Sequence, residues 1–406
     1  MTLRVTAFGL TLIVCLAFAI PTISQTTAPT PETTPATIAN VYVQTSQGVD
    51  VFAATAAGKL TMVKGSPFAD SGQMEGVNGK YLISVGVTNI HTYTIESNRA
   101  VGKQASVVNS QDFDGEECGA TSYNGASNGA VLDHTGKYFY LQLFGAQYQP
   151  GNTTCAAWQT YQVESNGGLT FLNSMEYESF ADGSAGDSTV PTISSNDEFA
   201  YGQFYWEEYC CTQFSSFTKV PGGALEVNNA FKETDPVGDP SGPYYYFPLL
   251  SQADPTGHLA VLMYSEDDLP FGNFGPDQMA SYTISTNGSI VSTNTWENMP
   301  VPIITNPSTM SMSISGKLVA LGGHPGLQLF HFNGADPITP FGGLLLPSVD
   351  VDKIAWDNNN HLYVLSYSAE RLYVYTVTPT SVSQVAGSPF VVDKAYGSLG
   401  MVVVPK

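Results

Sequence analysis

Basic residues are scarce in this chain of 406 residues: 14 Lys and Arg stand against 35 Asp and Glu, a net charge of −21. So anionic a protein repels a polyanion, which excludes sustained binding along nucleic-acid phosphates. Charged residues of both signs amount to only 12% of the chain, and Ala, Glu, Lys, Leu and Arg do not dominate, so a coiled coil is excluded. After the first twenty residues no apolar run is long enough to span a bilayer. From Asn40 onward the three-to-four-residue apolar spacing of long helices is also missing. No Gly-x-Ser-x-Gly, His-Glu-x-x-His, P-loop or Gly-x-Gly-x-x-Gly pattern occurs, which removes local support for serine hydrolase, zincin and nucleotide-binding chemistry. What is plentiful is core and turn material: 43% apolar residues, 21 Phe, 22 Tyr, 39 Gly and 25 Pro. That composition excludes a disordered or collagen-like chain.

Residues 1–24 combine Arg4, an apolar stretch from Val5 to Ile20 and small residues near Thr22 and Ser24. These are the parts of a secretory signal peptide, with cleavage expected near Ser24. Residues 25–39 are rich in Thr and Pro and read as an extended linker. The folded domain is expected over 40–406, in a secreted or periplasmic protein with no membrane span in the mature chain. The mature chain keeps Cys118, Cys155, Cys210 and Cys211, an even set that favours disulfides in an oxidising compartment, with three pairings open.

Short runs of Val, Ile, Tyr and Thr, punctuated by Gly, Asn and Pro, predict strands. Two kinds of turn recur. One has the form Asn78-Gly79-Lys80-Tyr81, Thr135-Gly136-Lys137-Tyr138 and Ser315-Gly316-Lys317-Leu318; the other that of Asn98-Arg99-Ala100-Val101, Asn166-Gly167-Gly168-Leu169 and Asn287-Gly288-Ser289-Ile290. Each unit reads as strand A, turn, strand B, loop, strand C, turn, strand D. Seven units of four antiparallel strands describe an all-β fold, a seven-bladed β-propeller. The first unit lacks a strand A, and a spare run, Leu399 to Val404, follows the last strand D. The C-terminal strand is therefore expected to complete blade 1 and close the ring, removing free edges.

Gly65-Ser66-Pro67-Phe68 and Gly387-Ser388-Pro389-Phe390 lie at the same offset after their turns. Together with the Gly-Lys-Tyr-Leu hairpins, they resemble the exported bacterial members of the seven-bladed lactonase-like (YVTN-type) propeller family. The resemblance implies lactone chemistry. Enzymes of that group acting on phosphorylated or carboxylated lactones need cations, and the mature chain has two arginines, Arg99 in a C–D turn on the rim opposite the long connections and Arg371 at the start of a C strand. A neutral sugar lactone is the substrate that this leaves.

Strand alternation places all B–C and D–A connections on one rim, and these carry the insertions at 109–127, 144–155, 175–188, 205–210, 228–246 and 265–278. They hold 17 of the 35 acids, opposed by Lys232 alone, with aromatics and Cys118, Cys155 and Cys210 among them and Cys211 directly adjoining. Long loops on a rigid scaffold carry recognition. Aromatics beside carboxylates suit sugars or cations. The first reading is thus a secreted protein binding a neutral or cationic ligand, a glycan or a protein, through this face, as a monomer and without nucleic acid. The ligand-binding candidates are Glu75, Tyr123, Asp187, Trp206, Glu207, Tyr245, Tyr246 and His324. The alternative is a lactonase-like hydrolase at the channel mouth, with His324 as general base beside a carboxylate such as Glu75 or Asp187. A structural scaffold is the third reading. No cofactor is required; clustered carboxylates would admit Ca²⁺, although Asp112 to Glu117 lacks the full spacing of an EF-hand loop.

Overall fold

The computed structural model describes residues 36–69, 73–86, 89–110, 127–144, 155–178, 187–205, 214–238, 244–267, 275–393 and 400–406. Its strands form seven sheets, each running outward from an inner strand A to an outer strand D, which is the predicted seven-bladed propeller. Blade 1 comprises Thr37–Thr45, Gly48–Thr55 and Leu60–Met62, so the first strand starts three residues ahead of Asn40. Its inner strand is Met401–Pro405, which pairs antiparallel with Ala39 to Val43 and closes the ring. Blades 2 to 7 begin at Gln73, Ser127, Asp187, Tyr244, Asn306 and Lys353.

Local chemistry explains the repeated turns. In blades 3 to 7 the A–B turn opens on Asp133, Ser194, Asp254, Ser313 or Asp357, whose side chain accepts backbone N–H groups from across the turn. Asp133 Oδ1 takes Lys137 N at 2.9 Å and Tyr138 N at 3.1 Å. Asp357 Oδ1 takes Asn359 N at 2.8 Å and His361 N at 2.9 Å. These bonds satisfy donors that the hairpin leaves unpaired. The Gly-Ser-Pro-Phe repeat patches a sheet edge. Ser66 Oγ accepts Val51 N at 3.1 Å and Ser388 Oγ accepts Val374 N at 2.9 Å. Phe68 and Phe390 then rejoin strand C opposite Val49 and Leu372.

A second repeat holds neighbouring blades together. Tyrosines of strand B donate to the carbonyl of a left-handed C–D turn residue in the next blade: Tyr42 to Arg99 O (3.1 Å), Tyr140 to Gly223 O (3.3 Å) and Tyr201 to Gly288 O (2.9 Å). Gly288 has φ +81°, and a Cβ there would sit 2.5 Å from Asn228 Nδ2 and 2.6 Å from the Phe199 ring, so only glycine fits. Aromatics fill the seams between blades. Trp158 is fully buried, 4.9 Å from the Phe217 ring, and donates Nε1–H to Thr189 O at 2.9 Å.

Blade 5 departs from the four-strand expectation. Glu233–Thr234, assigned from sequence to a loop, pairs parallel with Ile290–Val291 as a fifth, outermost strand. The outer edge of blade 5 offers free backbone groups, and the connection binds them: Ser292 N to Thr234 O and Val237 N to Asn294 O, both 2.9 Å. One turn of 3₁₀-helix, Trp296–Asn298, follows strand D of this blade.

Candidate functional site

The inner strands of blades 3 to 7 surround a cavity of about 450 Å³. Five residues before each turn-opening Asp or Ser stand Asn128, Thr189, Leu249, Ser308 and Asp352. In blades 3, 5 and 6 the pairing register skips this residue as a β-bulge, and blade 2 carries one at Glu75. Bulges re-aim the side chains beside them. The following residues, Gly129, Val190, Leu250, Thr309 and Lys353, all line the cavity, with hydroxyls from Thr189, Thr192, Ser251 and Ser308. No carboxylate is among the described lining residues.

On the rim of the long connections, strand B of blade 6 (Leu318–His324) ends at His324. The turn that follows is tight because Gly326 adopts φ +87°, where a Cβ would come within 2.5 Å of Leu345 O. Thr305 Oγ1 donates to His324 O at 3.1 Å. His324 Nδ1 is hydrogen-bonded to Asp350 Oδ1, from the connection between blades 6 and 7. The imidazole is 65% exposed and its Nε2 has no hydrogen bond among the described residues. A carboxylate on Nδ1 fixes the tautomer with Nε2 as the free base, the arrangement a general base uses. Two residues on, Asp352 accepts Tyr367 N at 2.8 Å. Burial, and to a lesser degree the Asp350 charge, push the Asp352 carboxyl above the usual range, while the Tyr367 N–H pulls it back.

A second acidic cluster lies in the seam between blades 4 and 5. Glu233 Oε2 accepts Phe214 N at 3.1 Å, and Tyr282 OH donates to Asp235 Oδ1 at 3.4 Å. Burial first, then the Asp235 charge, hold the Glu233 carboxyl well above its ordinary value. Burial also raises Asp235, and the two carboxyls share a hydrogen bond. The shared hydrogen bond raises Glu233 and lowers Asp235, so Glu233 is the member of the pair held more strongly toward its protonated form.

Of the sequence-predicted residues, Tyr123, Trp206, Glu207, Cys118, Cys210 and Cys211 lie outside the described residues. Glu75, Asp187, Tyr245 and Cys155 lie on described strands, with their side chains outside that description. Tyr246 is buried in the core between blades 4 and 5, beside Phe214 and Tyr282. Among the described residues no group of three His, Cys, Asp or Glu forms a metal site. Asp350 and Lys353 escaped the sequence reading. The constant offset from the turn-opening residue is the signal that finds Lys353; nothing local marks Asp350.

No family model matches the chain, and no curated protein matches it in sequence. Solved structures do. The periplasmic gluconolactonase of Pseudomonas aeruginosa has a TM-score of 0.57 at 13% identity, over 91% of this chain and 100% of that one. A candidate 6-phosphogluconolactonase of Bacteroides fragilis gives 0.57 at 11%, over 91% and 98%. A protein of unknown function from Desulfotomaculum acetoxidans gives 0.53 at 13%, over 91% and 100%. At such identities the likeness is one of fold. The chain shares with these structures the seven-bladed β-propeller fold that its blade-building residues imply.

Proposed function

We propose that this protein is an exported lactonase-like hydrolase that opens a neutral sugar lactone at the long-connection rim. The observation that carries the reading is the His324–Asp350 pair with Nε2 facing solvent. His324 Nε2 takes a proton from water as the oxygen attacks the lactone carbonyl, and Asp350 stabilises the imidazolium through Nδ1–H. Collapse of the tetrahedral intermediate breaks the ring C–O bond, and the imidazolium returns its proton to the departing alkoxide, leaving a hydroxy acid. The gluconolactonase named among the fold relatives supports the substrate class, and its periplasmic location supports export. The test is turnover of glucono-δ-lactone above the spontaneous rate, followed by acid release. Activity should survive EDTA and fall at least 100-fold in His324→Ala, the usual weight of a general base. Turnover by His324→Ala equal to the parent refutes the assignment.

A second reading keeps the rim as a binding face for a glycan or protein. It is favoured by the connectivity, since the acid-rich segments join strand ends on a single side of the ring. Loss of glycan-array binding in Trp206→Ala and Tyr245→Ala, with lactone turnover absent, selects it over the first.

A further inference from the structure

The central cavity has a chemistry opposite to that of the chain as a whole. Acids outnumber bases 35 to 14, yet no carboxylate is among the described residues that line it. Its lining supplies Lys353, hydroxyls from Thr189, Thr192, Ser251, Ser308 and Thr309, and the amide of Gln252. Lys353 is in no ion pair among the described residues. Its neighbour Asp352 engages the Tyr367 N–H at the end of strand B of the same blade, and successive side chains of an extended strand leave on opposite sides. The adjacent carboxylate is thus hydrogen-bonded to the backbone, while the Lys353 charge still acts on it. Inner strands pair on one edge only, so their second edge adds backbone donors and acceptors toward the channel. Among the described lining residues the only other titratable group is His134, whose Nδ1 is engaged by Asp197 at 2.7 Å. A volume of about 450 Å³ falls within the roughly 300–1,000 Å³ range of small-molecule sites.

We infer that this cavity is a binding site for a small polyhydroxylated carboxylate, its charge held by Lys353 and its hydroxyls by the Thr and Ser residues of blades 4 to 6. Lys353 is half-buried at a cavity whose described lining holds no carboxylate, so a bound carboxylate engages its ammonium through a charge-assisted hydrogen bond. The hydroxyl-rich wall selects a polyol over a bare anion. The inference stands on the cavity, and the hydrolysis proposed above would simply generate an ion of this class.

Isothermal titration of the purified protein with sodium gluconate, glucose and inorganic phosphate tests it. Because gluconate has no ring ester to open, the titration is blind to whether His324 hydrolyses anything. The expected result is saturable one-to-one gluconate binding at least tenfold tighter than glucose or phosphate. Lys353→Met should weaken it tenfold or more, and Lys353→Arg should retain it. Thr309→Val should weaken it several-fold at unchanged thermal stability. Absence of gluconate binding, equal affinity for glucose or for phosphate, or undiminished binding by Lys353→Met each overturns the assignment.

Discussion

Glu233→Gln should change how stability depends on pH, because the amide reproduces the protonated carboxyl. Its nitrogen donates to Asp235 where the Glu233 hydroxyl did, and its oxygen still accepts Phe214 N–H. In the folded chain burial and the Asp235 charge raise the Glu233 pKa, whereas in the unfolded chain it titrates near its ordinary value of about 4.3. Between those two values the native state keeps a proton that the unfolded state has lost. Unfolding free energy therefore falls as pH rises, by up to about 1.4 kcal/mol per pH unit for one proton. The contribution is fully present below about pH 4 and is lost as pH climbs through the folded value. Asp50, raised to about 6 by burial and the Asp393 charge, slopes the same way in both proteins and cancels in the comparison. Urea denaturation followed by tryptophan fluorescence from pH 4 to 9 measures the difference. The variant should match the parent near pH 4 and gain on it steadily above pH 5. Parallel curves, or a deficit that widens with pH, would refute a protonated Glu233.

Tyr201→Phe removes the 2.9 Å bond to Gly288 O inside a seam and leaves that carbonyl unpaired, costing about 1–3 kcal/mol. Tyr81→Phe, whose partner Ser165 O is at an exposed position, should cost less than about 1 kcal/mol, and denaturant midpoints compare the two. Deleting residues 401–406 opens the ring by removing the ladder on Ala39 to Val43. At about 1 kcal/mol for each lost backbone bond, the loss is on the order of 3–5 kcal/mol, visible as a lowered melting temperature.

Blade number and ring closure were legible in the sequence because both rest on short-range chemistry. A turn needs its Gly or Asn within a few residues, strand alternation has a period of two, and one strand missing at the first unit matches one spare after the last. The rim position of His324 followed from connectivity alone. Where the sequence reading fell short, the cause was distance along the chain. Glu233 is indistinguishable in sequence from the solvated acids around it, yet an added edge strand carries it into a seam beside Asp235. Tyr246 reads as one more rim aromatic and is buried between blades.

The sequence by itself determined the architecture, since turn chemistry and alternation are written in consecutive residues. Tertiary structure alone decided which carboxylate meets His324, 26 residues away at Asp350. It also decided that a strongly acidic chain would leave the described wall of its central cavity free of acids, with Lys353 there. Both outcomes depend on how separate blades converge around an axis, and no linear pattern encodes that convergence.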